Sequence, residues 1–483
     1  MQEYEPVIGM ECHAELLTES KMFCSCRNDF GGEPNTRCCP VCVGMPGSLP
    51  VMNQKAVEHV IRTALALNCE IIPNAKFDRK NYFYPDLPKG YQISEYDNPI
   101  GVKGYLDVEI DGRIRRVHIR RVHLEEDTGK LFHVTGDESF VDLNRSGVPL
   151  MEIVTDFPPD IHSSDEARAY LMKLRAILTY IDVCDGKMEE GSLRCEPNVS
   201  VRIKGTDTFG TKTEIKNLNS FRAVHKGIEY EVERQAAVLE RGDTVAQETR
   251  GWNEARGMTV SQRSKEVEQE YRYFPEPDLV PLHITAEWIA EIRASMPELP
   301  DARKARFVSE YGISSSDAAL LIDTRDLADY FEAAAKASGE PKTACNWIMG
   351  DLLRLLNADN RDFGASPVTP EDLGAMIKMV AQDIISGKIA KTLLDLMYST
   401  GEKPAVLAAR EGLVTLRDED ALAAIVDRVF AANPEVVSAI IDKGQVSKRG
   451  YLVGQVMKAS QSKADPRDVN RLIDDRLKDD RLK

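Results

Sequence analysis

Nowhere in the 483 residues is there an uninterrupted apolar run of about 18, the length a membrane-crossing helix requires. The opening stretch, Met1 to Met10, lacks the basic-then-apolar order of a secretory leader, so a cytoplasmic, multidomain protein is expected, with no membrane partner. Three signatures are also missing: a GxxxxGKS/T phosphate loop, a GxSxG nucleophile elbow and a Ser-Lys amidase pattern. Without them the chain has no P-loop nucleotide site, and any ammonia it uses must be made elsewhere. Positive charge is scarce: 62 Lys and Arg stand against 78 Asp and Glu, a net charge of −16. Such a surface repels phosphate as a whole, which confines any nucleic-acid contact to a region where cations gather. Internal repeats and low-complexity tracts are absent too.

What is present begins with the cysteines. Six of the ten lie before residue 43, and Cys24-Ser25-Cys26 followed by Cys38-Cys39-Pro40-Val41-Cys42 makes a CxC and a CxxC pair. Four thiolates suit tetrahedral Zn²⁺, and a site with no open position would be structural, stapling the loop between the first strand and a helix beginning near Asn53. Cys24, Cys26, Cys39 and Cys42 are the expected ligands, with Cys38 able to replace Cys39.

Short alternating strands with Gly, Pro and Asn turns fill the chain to about residue 290; beyond that, Ala, Leu, Asp and Lys recur with helical spacing. Two prolines near Met296–Pro300 mark a boundary, with Asp301 a candidate cap for the next helix. Asp317 to Lys336 and Pro370 to Met379 read as amphipathic helices, and a second break falls at Ser399–Pro404. An α+β protein is predicted: a mainly antiparallel β domain over 1–295, a helical domain over 296–403 and a small helical tail over 404–483. From Ile441 to Lys483 the tail carries eleven Lys and Arg against seven Asp, whereas the chain as a whole is strongly acidic.

In Val7 to Leu16, Gly9, Glu11, His13 and Glu15 alternate with apolar neighbours and so fall on one face of a strand. Gly191 to Ile203 repeats the pattern with Ser192, Arg194, Glu196, Asn198, Ser200 and Arg202, and Val117 to Lys130 adds His123, Glu125, Glu126 and Asp127. Carboxylates with a histidine on such a face suit Mg²⁺, which takes oxygen ligands and keeps phosphate oxygens in its shell; Glu11, His13, Glu125 and Glu126 are the expected ligands. Cations must oppose them to stabilise a transferring phosphoryl group, and Arg79, Lys80, Arg194 and Lys216 are the candidates.

These segments resemble the B subunits of the aspartyl/glutamyl-tRNA amidotransferases. The resemblance rests on Val7 to Glu15, Phe77 to Asp86, His123 to Lys130, Val141 to Arg145, Lys187 to Asn198, Lys216 to Phe221, Tyr271 to Asp278 and Tyr451 to Lys458. It implies a cradle related to glutamine synthetase, then a helical domain and a tail that reaches tRNA. It also implies ATP-dependent phosphorylation of the side-chain carboxylate of a misacylated Glu-tRNA(Gln) or Asp-tRNA(Asn), then amidation with ammonia. The ammonia would come from the amidase, or glutaminase, partner of the same heterotrimer, which works with a small third partner. On this reading Glu11, His13 and Glu126 hold metal, and Lys80, Arg194 and Lys216, with Glu190 beside them, do the chemistry. Arg79, Ser192, Asn198 and Asn217 bind the nucleotide, while Lys448, Arg449 and Lys458 meet tRNA. Two departures from the family pattern are Cys12, where an aliphatic residue is usual, and Gln445, where a lysine is usual. The competing readings are an autonomous amide ligase acting on a small acid and a non-enzymatic tRNA-presenting scaffold.

Overall fold

The computed structural model describes residues 3–133, 138–264, 271–413, 419–442, 445–460 and 464–481. They fall into two compact units, Met1–Pro300 and Asp301–Lys483.

The first unit is organised by strands, in chain order β1 (Tyr4–Glu15), β2 (Glu70–Ile71), β3 (Asn74–Ala75), β4 (Asp78–Asn81), β5 (Tyr91–Ser94), β6 (Gly101–Ile110), β7 (Arg113–Glu126), β8 (Lys130–His133), β9 (Ser139–Asp142), β10 (Pro149–Thr155), β11 (Leu193–Ile203), β12 (Thr213–Lys216), β13 (Glu248–Asn253), β14 (Met258–Ser264), β15 (Phe274–Pro275) and β16 (Leu282–His283). Twelve of them form one sheet in the order β14-β13-β12-β11-β1-β10-β7-β5-β4-β15, with β6 added to β7 and β2 to β6. Every pairing is antiparallel except β12 with β13. The predicted mainly antiparallel sheet is therefore present, and the predicted helical region follows it.

Because side chains alternate across a strand, the sheet has two unlike faces. Ile8, Met10, Cys12 and Ala14 of β1 are buried on one, together with Met151 and Ile153 of β10 and Val122 and Leu124 of β7. Three helices complete that core: α1 (Gln54–Ala66), α2 (Ser164–Tyr180) and α3 (Phe221–Glu240) contribute Val60, Ile61, Leu171, Leu174, Val224 and Ile228. Each starts at a side chain that satisfies otherwise unpaired amides: Asn53 accepts from Lys55 and Ala56, Ser163 from Glu166, and Ser220 from Ala223. The opposite face carries the polar residues.

The second unit is helical. Helix Arg325–Ser338 packs on Pro370–Ala381, and Pro404–Arg410 packs with Pro370–Ala381 and Gly387–Thr400. Leu422, Val426, Leu452, Val456 and Ile473 form a separate cluster joining Glu419–Ala432, Arg449–Ala459 and Pro466–Arg481. Two local expectations change. The stretch from Asp317 to Lys336 is two helices, Ser315–Leu321 and Arg325–Ser338, because the Thr324 side chain accepts from the Leu327 amide at 3.3 Å and starts a new one. Asp301 does not cap the helix that follows the boundary, since Pro300–Tyr311 begins one residue earlier and Asp301 sits in its first turn. Among the described residues no helix is long and apolar enough to cross a membrane.

The β6–β7 hairpin lies close against the end of α1, where the Tyr105 amide donates to Leu67 O at 2.9 Å. Only a residue without a side chain fits there: a Cβ on Gly104 would stand 2.4 Å from Cys69 Sγ and 2.6 Å from Leu67 O. Gly104→Ala is expected to destabilise the first unit by about 1–3 kcal/mol through overpacking; urea denaturation of the full chain checks this, and a change below about 0.5 kcal/mol would show that the hairpin shifts freely.

Candidate active site

The polar face of the sheet walls a cavity of about 840 Å³. Register places its groups in rows. His13 of β1 lies opposite Glu152 of β10 and Arg194 of β11, and Glu152 lies opposite His123 of β7. In the neighbouring row Glu11 lies opposite Glu196 on one side and Val154 on the other, and Val154 opposite Arg121. Asn198 is paired with Glu214 of β12.

Two groups of potential metal ligands result, each with one ligand atom per residue and all those atoms within 4.8 Å of one another: His13, Glu125 and Glu152, and Glu11, Glu196 and Glu214. In the first, His13 Nε2 is 3.7 Å from Glu125 Oε1 and 3.9 Å from Glu152 Oε2, while His123 Nε2 lies 3.0 Å from the same Glu152 oxygen. Burial by itself would raise the Glu152 carboxyl, yet His123, His13 and Lys80 hold it well below the usual carboxylate range. In the second, Asn198 donates to Glu11 at 2.8 Å and Lys216 to Glu196 at 2.8 Å, with Glu214 3.6 Å from the same ammonium. Glu196 is likewise opposed by burial but drawn down to about 2 by Lys216 and His13. Glu152 and Glu196 are thus ionised in the neutral range, as carboxylate ligands of a hard cation must be.

Of the residues expected from the sequence, Glu11, His13, Lys80, Glu125, Arg194, Asn198 and Lys216 line this cavity. The Lys80 ammonium makes no hydrogen bond among the described residues; it lies 5.0 Å from the Tyr271 ring centre and 5.9 Å from that of Tyr82. Arg194 is engaged by Asp127 at 2.6 Å.

Five expected residues are placed elsewhere. Glu126 follows Glu125 directly and so projects to the other side of β7, where Lys89 and the Ile93 amide bind its carboxylate. It faces a smaller cavity of about 210 Å³ beside Cys24 and Cys42, not the acidic groups. Arg79, next to Lys80, is turned outward for the same reason, with Nε and Nη2 donating to Glu276 at 2.7 and 2.9 Å and its guanidinium 4.2 Å from the Tyr91 ring centre. Glu190 pairs at the surface with Lys187, three residues before it. The Ser192 hydroxyl donates to Asp185 and accepts from the Lys187 amide. Asn217, exposed at φ 63°, follows the end of β12 and is not among the residues lining the cavity.

Glu152 is not singled out by the sequence reading, although one carboxylate inside Leu150-Met151-Glu152-Ile153-Val154 is the signal of a strand whose second face is polar. Glu196 is recognised there as a polar-face residue and Glu214 not as a ligand, so neither is expected to hold metal. Arg121, two residues before His123 on the same face, is likewise missed.

Cys24, Cys26, Cys39 and Cys42 converge with one Sγ each inside 4.8 Å, a geometry fit for one tetrahedral ion. Cys42 Sγ accepts from the Cys39 amide at 2.9 Å; its interaction with Cys24, then this amide and nearby Lys21, draw it down to about 5 against the effect of burial, so it is the readiest of the four to act as a thiolate. Cys38 is turned away, its Sγ 3.3 Å from Asn35 O.

In the tail, Arg449 is spent on Asp474, at 2.6 and 2.8 Å. Lys448 and Lys458 are exposed and form no ion pair among the described residues. Arg467, Arg471 and Arg476 are paired with Asp465, Glu419 and Asp427. The lysines at 443, 463 and 483, and the glycine at 444 that precedes Gln445, lie outside the described residues.

Residues 6–290 match the GatB/GatE catalytic domain and residues 329–477 the GatB domain. A catalytic domain of that class therefore carries the sheet and its cavity. Over 481 residues, 99% of each chain, the protein is 53% identical to the B subunit of the aspartyl/glutamyl-tRNA(Asn/Gln) amidotransferase of Carboxydothermus hydrogenoformans. It is 55% identical over 478 residues to the protein of the same name from Moorella thermoacetica, covering 98% of this chain and 100% of the relative. The counterpart of that name in Thermoanaerobacter pseudethanolicus is 52% identical over 475 residues, 98% of this chain and 99% of its own. The chain belongs to the family of aspartyl/glutamyl-tRNA(Asn/Gln) amidotransferase B subunits.

One buried group fixes the strand that bears Glu125. Glu95 donates its amide to Leu124 O at 3.1 Å and accepts with Oε2 from the Leu124 amide at 3.0 Å and the Ile100 amide at 3.2 Å. Its other oxygen is buried with no partner among the described residues, and burial pushes the carboxyl up to about 8. The folded state then holds a proton that the unfolded chain releases near 4.5, so stability falls as pH rises from about 4.5 to 8. Glu95→Gln should remove that slope and exceed the native chain by on the order of 3 kcal/mol at pH 8, with little difference at pH 4.5. Urea denaturation at both values is the check; equal slopes for the two chains would mean that Glu95 is ionised when folded.

Proposed function

We propose that this chain is the activating component of a glutamine-dependent amidotransferase that converts Glu-tRNA(Gln), Asp-tRNA(Asn) or both to the amide forms. Ammonia comes from an amidase partner that hydrolyses glutamine, in an assembly that includes a small third partner. The observation that carries the reading is the pairing of two carboxylate groups with an unengaged lysine on one face of a single cavity. Phosphate contact alone calls for Lys and Arg, whereas carboxylates are needed where a divalent cation must be held beside phosphate.

A side-chain carboxylate is a poor acyl donor because its oxygen leaves badly. In the proposed first step a carboxylate oxygen of the aminoacyl group attacks the γ-phosphorus of ATP and the bond to ADP breaks, giving an acyl phosphate. Ammonia then adds to the carbonyl carbon, the carbon–oxygen bond to phosphate breaks, and loss of a proton leaves the amide. His13, Glu125 and Glu152, and Glu11, Glu196 and Glu214, are the residues that would hold Mg²⁺. When bound, such a cation gathers phosphate oxygens and offsets the charge that develops as the phosphoryl group moves. His123 orients Glu152 at 3.0 Å, Asn198 orients Glu11 at 2.8 Å and Lys216 orients Glu196 at 2.8 Å, so the ligands are set before substrate arrives. Lys80 offers its ammonium to the transferred phosphoryl, and Arg194, tied to Asp127, shapes the wall beside His13. The cysteine tetrad would hold a structural Zn²⁺. On the same reading 1–295 is the catalytic domain, 296–403 a helical domain and 404–483 the tRNA-binding tail, whose exposed Lys448 and Lys458 replace Arg449 as the cations to meet tRNA.

With the chain assembled with its amidase partner and supplied with ATP, Mg²⁺, glutamine and Glu-tRNA or Asp-tRNA, amide formation is expected. Glu125→Gln and Glu11→Gln should each lower it on the order of 100-fold or more while the chain stays folded. Full activity in either variant would make that carboxylate group structural. Elemental analysis should find one zinc per chain, lost when Cys39 and Cys42 are both changed to Ser and kept in Cys38→Ser; zinc lost on changing Cys38 alone would reassign the fourth ligand.

A further inference from the structure

Resting on the proposed phosphoryl transfer, we infer that Arg121 is a further catalytic residue, the guanidinium that grips the phosphate chain of the nucleotide on the side of the cavity served by Glu11, Glu196 and Glu214.

The inference follows from how the other cations stand: Arg120 and Lys212 also line the cavity but are exposed to solvent, and the rest are committed or face the other group. Arg194 is bound to Asp127 at 2.6 Å, and Arg145 lies 3.5 Å from the same carboxylate while donating to Thr128 O and Gly129 O. Lys216 is taken by Glu196, Arg79 faces away to Glu276, and Lys89 is bound to Glu126 outside the cavity. Lys80 remains available, but its charge is felt by Glu125 and Glu152, the carboxylates of the other group.

Arg121 is different. It lines the cavity, half-buried, and its side chain forms no hydrogen bond or ion pair among the described residues; the Nε is fully buried with no partner. Leaving a buried donor unpaired costs about 1–3 kcal/mol, more when it is charged, so a strand that tolerates one is expected to satisfy it with a ligand. Its position selects that ligand. Arg121 shares a cross-sheet row with Glu11, separated only by Val154, whose short apolar side chain also lines the cavity and keeps guanidinium and carboxylate apart. An anion bridging that gap meets cation-holding carboxylates on one side and a rigid fork of donors on the other, the arrangement that suits phosphate oxygens. The Tyr273 phenol, close enough to feel the Arg121 charge, closes the adjoining wall without offering it a carboxylate.

The test uses the complete assembly with its amidase partner. Mg²⁺-ATP binding is measured directly by equilibrium dialysis, and KM values for ATP and for Glu-tRNA are measured in the amidation reaction, for native protein, Arg121→Ala and Arg121→Lys. Arg121→Ala should weaken ATP binding and raise the KM for ATP at least tenfold, with the KM for Glu-tRNA within about twofold. Arg121→Lys, which keeps the charge but loses the fork, should fall between. Millimolar guanidinium should restore part of the activity of Arg121→Ala, which a misfolded chain would not recover. Unchanged ATP binding in Arg121→Ala, or a defect confined to Glu-tRNA, would overturn the assignment while leaving the phosphoryl-transfer reading intact. A native assembly that neither binds nor consumes ATP would overturn both.

Discussion

Five glutamates, at positions 11, 125, 152, 196 and 214, share one face of a single sheet, and each raises the energy of the others' ionised forms. The face can exist only because specific cations and donors are interleaved with them. His123 stands against Glu152, Lys216 against Glu196, and Asn198 against Glu11, each brought there from a neighbouring strand by register, while Glu214 lies two residues before Lys216 on its own strand. The balance is left incomplete: two triads still present several oxygens to a common point, which is the electrostatic condition for retaining a divalent cation.

That arrangement depends in turn on what lies behind it. Helices α1, α2 and α3 dry the reverse face, so the strands are anchored through Ile8, Met10, Met151 and Leu124 while their polar side chains stay presented. Glu95 adds a polar clamp on both backbone groups of Leu124, one residue from Glu125. The cysteine cluster brings together two parts of the long connection between β1 and α1, which buries Met22 and Phe23 but leaves Phe30, Met45, Leu49 and Val51 exposed.

Much of this was legible in the sequence, and the gaps have a common cause. Period-two alternation identified the polar faces of β1 and β11, and CxC with CxxC identified the tetrad. The same alternation, applied to adjacent residues, separates Glu125 from Glu126 and Lys80 from Arg79; charge density suggested all four, and strand geometry admits only one of each pair. Glu152 was concealed by its apolar neighbours, because a central strand with one buried face reads as a core strand when its single carboxylate is discounted. Ser192 and Asn217 sit just outside strand ends, where turn geometry rather than alternation decides direction, and no local pattern reports it. In the tail, eleven basic residues looked like a docking surface, but pairing with acidic residues on facing helices is a tertiary property that counting cannot detect.

The long central strands also bear on how proteins of this kind can change over generations. In β1 and β11 a core residue and a cavity residue follow one another along a continuous ladder, so inserting or deleting one position would exchange the two faces from that point onward, placing Glu11 or His13 among the helices and Met10 or Cys12 in the cavity. Substitutions can accumulate there one at a time, but length cannot. Drift in chain length is therefore directed into the connecting loops and the helical unit, and the part of the gene that encodes the sheet behaves as a frame of fixed parity.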